Sequence, residues 1–339
     1  MTLKSIIKTN QSSYKYQPQP AKLRELDYLT VCYYRGLITD PREQKYLARL
    51  KAGDDGEVDL VDFLVKRLPT NWQILRNVWL EIDGNKTEID ILIITPKLWW
   101  VLEVKNYRGH FEYRNQLCYL NQEQFPDQIA ACRNRLRIIK RIAAKRLTSK
   151  PDIHCTIVFV NERCQVTADT QTDIQLIMRY QLPWHLDEII QRHHAQPNSI
   201  QLQDSLTVLQ RHEITHPYLP QYPNPDALEL ATKGIRCHNC HSFDSQITHR
   251  QITCLTCYQT ISKTQAVLQS ACEIGVLHYT NPKILTTANL YEFTAGKLSQ
   301  KGIRLILKKY LPKHGIKHGT YYANYALPYE QVKDRFKLT

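Results

Sequence analysis

The sequence predicts an α/β fold, a mixed central sheet flanked by helices, followed by a small four-cysteine module and a basic helical tail. Three observations carry this. Between residues 73 and 105 three β-rich runs follow one another, separated by turn residues. Segments with apolar residues at helical spacing stand on either side of them, at 57–68 and 124–145, and a strand of buried type, HCTIVFV, follows at 154–160. Far downstream, CHNC and CLTC are separated by thirteen residues.

In chain order, the opening through QPQP at 17–20 is polar and broken by proline, which predicts a loose arm. Residues 21–50 read as two helices broken at Asp40 and Pro41, and residues 1–44 together as an arm with a helical lead-in to the first domain. That domain spans 45–215. In GDDGEVDLVDFLVKRLP the acidic residues mark a helix start and Pro69 a stop, with Glu57, Val61, Leu64 and Leu68 on one face. A strand over 73–82 ends at the turn pair Asp83 and Gly84; TEIDILIIT and LWWVLEVKN supply the next two strands. HFEYRNQLCYLN suits a short hairpin, 124–145 a helix with a dense basic face, and HLDEIIQRHH and LQDSLTVLQRH two closing helices. Prolines 217, 220, 223 and 225 then forbid regular structure, so 216–233 reads as a linker. Residues 234–260 hold the cysteines and 261–339 the basic helices.

The 339 residues suffice for two domains, and 42% hydrophobic with 23% charged residues is ordinary globular composition. With no signal-like start and no run of about 18 apolar residues, the expectation is a cytoplasmic protein with no membrane partner. The net charge of +13 is unevenly spread: from Ala231 onward there are 15 Lys and Arg against 5 Asp and Glu, whereas the first 230 residues hold 30 against 27. A positive field of this kind captures polyanions, so nucleic acid is the expected partner, although many basic proteins are merely soluble.

Strand periodicity places Glu103 and Lys105 on one face together with Trp99 and Val101, while Leu102 and Val104 point the other way. Asp90 lies on the preceding strand, on the same side as Glu88, and antiparallel pairing through the short TPK connection brings it beside Glu103. Two carboxylates close together repel by about 4 kcal/mol at 4 Å in an effective dielectric near 20 unless a cation sits between them. Oxygen ligands completed by water suit Mg²⁺ or Mn²⁺, which would polarise a phosphoryl oxygen and activate water, with Lys105 holding that water or neutralising charge. The competing reading is a surface salt bridge at a sheet edge.

An isolated ExK is common by chance, but GEVDLVDFL, TEIDILII, VLEVKNYRG and FPDQIAACRNRL in this order resemble the nuclease-related domain family, NERD, of the PD-(D/E)xK nuclease superfamily, over roughly residues 45–165. The resemblance implies a restriction-endonuclease-like sheet, Asp90 and Glu103 as metal ligands, Lys105 as the catalytic lysine, Glu57 as an accessory acid and Gln128 as an orienting group. An exposed helical glutamine and a helix-start acid are the plainer readings of Gln128 and Glu57.

Cys237, Cys240, Cys254 and Cys257 form two CxxC pairs whose thiolates suit Zn²⁺ better than Mg²⁺; the segment resembles a zinc ribbon, a module with little core of its own that needs its metal to fold. Redox-active dithiols are the alternative. Beyond it, TTANLYEF and SQKGIRLILKKYL flank the glycine turn AGK, Ser299 is a candidate N-cap, and KHGIKHGTYYANYAL suits a wing, so the tail resembles a winged helix-turn-helix in which Lys301, Arg304, Lys308 and Lys309 contact nucleic acid. A tail that packs on the ribbon or recruits protein is the alternative. On the first basic helix, Arg133, Arg135, Arg137, Lys140 and Arg141 are candidate phosphate contacts, or simply a solvated face. The function expected is metal-dependent hydrolysis of DNA rather than RNA phosphodiesters. Its rivals are a non-catalytic nucleic-acid-binding protein of nuclease fold and a protein-recruiting adaptor.

Overall fold

The computed structural model describes residues 22–148, 150–169, 172–193 and 199–336; the arm expected through Pro20 lies outside them. The chain divides into two compact units, one built from 49–215 and the other from 22–48 with 216–336. Among the described residues no helix is long and apolar enough to cross a membrane.

Helix α1 (Glu25–Tyr34) belongs to the second unit. This corrects the expectation of a lead-in to the first domain: Tyr28, Val31 and Cys32 are buried in the core of the C-terminal residues, a partnership that local pattern cannot reveal. Helix α2 (Pro41–Arg67) is one continuous element, and the boundary between the units falls inside it. The helix start expected at GDDG is therefore absent, and Glu57 is an interior residue. Gly56 has a packing reason to be there, since a Cβ would come within 2.9 Å of Val160 Cγ2.

In the first unit β1 (Gln73–Ile82), β2 (Asn85–Ile94) and β3 (Leu98–Lys105) form the expected antiparallel meander. Asp83 and Gly84 turn between β1 and β2 with φ of 50° and 75°, the two positive values that a tight two-residue hairpin loop requires. The chain then leaves the sheet through β4 (Gly109–Arg114), β5 (Leu117–Leu120), β6 (Glu123–Phe125) and helix α3 (Gln128–Arg146), which Asp127 caps by accepting from Ala130 N. It returns as β7 (Asp152–Phe159), parallel to β3. Two further short strands were not foreseen: β8 (Cys164–Ala168) joins β4, and β9 (Gln175–Met178) joins β7. The sheets run in the orders β1-β2-β3-β7-β9 and β6-β5-β4-β8. Helices α4 (Leu182–His193) and α5 (Ser199–His212) complete the unit.

Alternation along the strands divides the core in two. Trp99 and Val101 pack with Ile129, Cys132, Ile139 and Ile142 of α3 and with Leu206 of α5. Trp100, Leu102 and Val104 pack with Leu60, Val61 and Leu64 of α2 and with Leu186 of α4. The central sheet is thus a mixed sheet covered by helices on both faces.

In the second unit the short helix α6 (Ala227–Leu230) precedes a three-stranded sheet of β10 (Ser245–Ile247), β11 (Gln251–Cys254) and β12 (Thr260–Ser262). Helices α7 (Lys263–Leu277), α8 (Thr287–Phe293) and α9 (Gln300–Tyr310) follow, then a two-stranded pairing of β13 (Lys313–His314) with β14 (Tyr321–Tyr322), and the short α10 (Tyr329–Val332). Ser262, Thr286 and Ser299 cap α7, α8 and α9 through their hydroxyls. Residues 266–277 of α7 are all buried. The cysteine-bearing hairpin does not stand alone, as expected of a ribbon with almost no core: Ile235 and Ile252 share the core of α7, and Ile247 and Ile261 pack against it.

Candidate active site and metal centre

The β2–β3 ladder ends at Ile91 opposite Leu102, so Asp90 and Glu103 are the next residues on the two strands. Instead of another rung, Asp90 Oδ2 accepts a hydrogen bond from the Val104 N–H at 2.7 Å. Glu103, whose side chain is 3% exposed, has both cations of the site on one oxygen: Oε1 lies 2.7 Å from Lys105 Nζ and 3.1 Å from Arg135 Nη2. Its other oxygen, Oε2, is buried and has no hydrogen-bond partner. Arg135 also donates from Nε to the Glu88 carbonyl at 2.9 Å. The expected trio of Asp90, Glu103 and Lys105 therefore converges, joined by Arg135 from α3 and by Glu88.

Charge balance in this cluster is tipped towards the negative. Burial, reinforced by the charge of Glu103, pushes Asp90 up to about 6. Burial and the charges of Asp90 and Glu103 push Glu88 up to about 7. Burial acts to lower Lys105, but Glu103 and then Asp90 outweigh it and hold the ammonium above its usual range. Glu57 stands on α2, in the opposite layer, and hydrogen-bonds Arg76 Nε at 3.0 Å; burial and the charge of Asp90 push it up to about 9. Arg76 also pairs with Asp54 and does not offset that burial.

These groups fit a hard divalent cation. Glu103 Oε2 is a buried acceptor without a donor, Asp90 beside it is raised by burial and then by the charge of Glu103, and Lys105 with Arg135 leave a carboxylate excess that a cation relieves. Asp90 and Glu103 would hold it. Residues 52–160, which contain every group of this cluster, match the model of the family described as nuclease-related domain. The chain carries a NERD domain. No curated protein and no solved structure matches the chain.

Other residues singled out within the NERD domain are placed differently. Gln128 opens α3, and its Nε2 donates to the Pro126 carbonyl at 2.8 Å. Two turns along the same helix, Arg135 is the residue that reaches the carboxylates. The outer face of α3 is basic and exposed: Arg133 pairs with Asp173 at 2.7 Å and Arg141 with Asp83 at 2.6 Å, while Arg137 bonds Asn134. With Lys140 these arginines line an open groove.

Outside the NERD domain, the sulfurs of Cys237, Cys240, Cys254 and Cys257 all lie within 4.8 Å of one another. Each CxxC closes a knuckle in which the residue after the second cysteine donates back to the first: His241 N to Cys237 O and Tyr258 N to Cys254 O, with φ of 62° and 59°. Four thiols at this spacing can hold a metal ion and fit tetrahedral zinc. On α9, Ile303 and Leu307 are buried, while Lys301, Arg304, Lys308 and Lys309 are exposed on the other side.

Proposed function

We propose that the NERD domain hydrolyses phosphodiester bonds of nucleic acid, DNA ahead of RNA, with Mg²⁺ or Mn²⁺ held by Asp90 and Glu103. The observation that carries this reading is the division of labour on Glu103: two cations on Oε1 and a bare, buried Oε2 beside Asp90. An ion held by Asp90 and Glu103 would supply Lewis-acid polarisation of a phosphoryl oxygen and would lower the pKa of water. Lys105, whose ammonium pairs with Glu103, offsets negative charge that develops on the phosphate and orients water. Arg135 holds Glu103 and the β2 backbone at Glu88 in register, a positioning role. Asp90 is fixed by the Val104 N–H.

The exposed cations of α3 and of α9 fit phosphate contacts, and the sequence of α8, AGK turn, α9 and paired β13–β14 fits a winged helix-turn-helix that carries α9 to the strand. Zinc holds the hairpin in this reading. A cytoplasmic location, where thiols stay reduced and available to a metal, is part of this reading.

The test is cleavage of plasmid and single-stranded DNA by the purified chain with Mg²⁺ or Mn²⁺. Cutting is expected from the natural sequence and is expected to fall about 10²–10³-fold in Asp90→Ala and Lys105→Ala, the loss typical of one catalytic electrostatic partner. Binding with no cutting under any metal, or equal cutting by the variants, would sink the hydrolase reading.

A further inference from the structure

The three parallel strands β3, β7 and β9 end level with one another: Lys105 lies opposite Phe159, and Phe159 opposite Met178. At about 4.8 Å per strand, Met178 is roughly 10 Å across the sheet from Lys105. Ligands of open α/β sheets bind outside such carboxyl ends, where the loops that follow the strands gather. Those loops, 106–108, 160–163 and 179–181, are tied to the sheet and to one another. Asn161 Nδ2 donates to Asn106 Oδ1 at 2.8 Å, Gly109 N to the Arg163 carbonyl at 2.9 Å, and Arg179 N to the Phe159 carbonyl at 2.9 Å.

Each loop carries an arginine, Arg108, Arg163 or Arg179, and with Lys105 they set four cations along this edge against one acid, Glu162. Arg179 is half-buried and lies over the Phe63 ring, 3.6 Å from its centroid. Arg108 and Arg163 are exposed, and among the described residues neither guanidinium has an ion-pair or hydrogen-bond partner. Two large aromatics stand at the same edge: Tyr180, 67% exposed in the loop after β9, and Trp184, 71% exposed in the first turn of α4. The other four tryptophans, Trp72, Trp79, Trp99 and Trp100, are all buried. Tryptophan is mostly buried in folded chains, so one left in water beside a tyrosine marks a contact surface.

We infer that this edge is a track for single-stranded nucleic acid, in which Arg108 and Arg163 contact phosphates while Tyr180 and Trp184 stack on unpaired bases. Unpaired guanidiniums favour a polyanion over an apolar protein face. Free aromatic rings choose its form: a ring stacks on a base whose faces are open, which a single strand offers and a duplex interior denies. The inference rests on the nucleic-acid reading of the NERD domain and specifies the substrate, a strand that is unpaired beside the bond to be cut. Lys105 and the loop after β9 are close enough, at roughly 10 Å, for one strand to span both within a few nucleotides of about 3.4 Å each.

The experiment follows tryptophan emission of the full zinc-loaded chain, with no Mg²⁺ or Mn²⁺ added, as single strands and blunt DNA duplexes are titrated. Trp184, the exposed tryptophan, is expected to be quenched by the single strand and not by the duplex, and the quench is expected to vanish in Trp184→Leu. That variant keeps apolar bulk and removes the π face, so single-strand affinity should fall about ten-fold or more, with Tyr180→Ala close behind and Trp184→Phe keeping most of it. Duplex affinity and melting should not move in these variants, since both positions are exposed. Arg163→Ala should lower the salt slope of single-strand binding by about one. Emission that single strands leave unmoved overturns the inference, as does a quench by duplex of equal size. Unchanged single-strand affinity in both Trp184→Leu and Tyr180→Ala overturns it too, as do equal losses on strand and duplex. DNA cutting alongside any of those results leaves the hydrolase reading intact, whereas a quenched Trp184 with no cutting once Mg²⁺ or Mn²⁺ is added removes that reading and leaves the strand track standing.

Discussion

Each unit buries a glutamate among cations, and the two are solved in opposite ways. In the second unit Glu273 has both oxygens taken: Arg35 Nε bonds Oε2 at 2.7 Å and Arg236 bonds Oε1. Arg35, 0% exposed, donates from Nη1 to the carbonyls of Thr232 and Gly234, pairs through Nη2 with Glu273, and lies 3.9 Å from the Phe293 ring centroid. Burial alone would raise Glu273, yet Arg35 and Arg236 hold it down at about 2. In the first unit Glu103 shares two cations on one oxygen, leaves the other bare, and has two more carboxyls pushed upward beside it. A closed ion cluster joins distant chain segments. An open one, with acceptors to spare, has room for chemistry.

The sharpest way to break this contrast is to remove the charge from each centre. Glu273→Gln leaves two buried guanidiniums facing a neutral amide, and the expected loss is about 3–5 kcal/mol, seen as faster hydrogen exchange in α1 and α7. If exchange there is unchanged, the triad is not what ties residue 35 to residue 273. Asp90→Asn should behave in the opposite sense. Cleavage falls about 10²–10³-fold, while melting of the metal-free protein holds or rises, because a repelling charge has gone and the side chain still accepts from Val104. Simultaneous loss of activity and of about 2 kcal/mol or more of stability would mark Asp90 as structural.

How much of this was legible beforehand follows the same divide between local and distant order. Asp90, Glu103 and Lys105 were readable because strand alternation and a short antiparallel connection fix both face and neighbour. In the sequence Arg135 is one of five basic residues on a helix. Its signal was present: it lies three residues after buried Cys132 and three and four before buried Ile138 and Ile139, on the apolar stripe rather than on the outer face with Arg133 and Arg137. The poor helix propensity of GDDG suggests a helix start at Glu57, and tertiary packing at Gly56 overrides it. The partnership of α1 with α7 rests on Arg35 and Glu273, 238 residues apart, and no local periodicity encodes such a pairing.

Acidity offers a subtler test, since the two clusters should respond to pH with opposite slopes. Glu273 is depressed, so its contribution is fully present above its unfolded value near 4.5 and is lost as pH falls towards 2. Asp90 and Glu88 are raised, so without metal their contribution is present below about pH 4 and is lost as pH rises through 6 to 7. With a chelator too weak to strip zinc, the first unit should melt several °C lower at pH 8 than at pH 5, at about 2–4 °C per kcal/mol. Added Mn²⁺ should restore most of that difference at pH 8 and little at pH 5. Parallel slopes in the two units would show that the clusters do not differ in kind.

The smallest expected effect separates proximity from membership. Glu57 feels Asp90 and is pushed up to about 9, so at pH 7 it is already a neutral acid whose oxygen accepts from Arg76 Nε. Glu57→Gln keeps the shape, the neutrality and an acceptor, and stability at pH 7 should change by no more than about 0.5 kcal/mol, roughly a tenth of the loss expected at Glu273. The two substitutions are chemically the same, and with Glu57 half-buried and Glu273 buried the ratio of their effects reports chiefly how each carboxyl is charged. A loss at residue 57 as large as that at residue 273 would mean that Arg76 holds Glu57 ionised and that the opposite layer contains a second closed cluster. A neutral result in stability with reduced cleavage would instead place this side chain's proton in the working of the Asp90 site, the role that its position in the NERD motif implies.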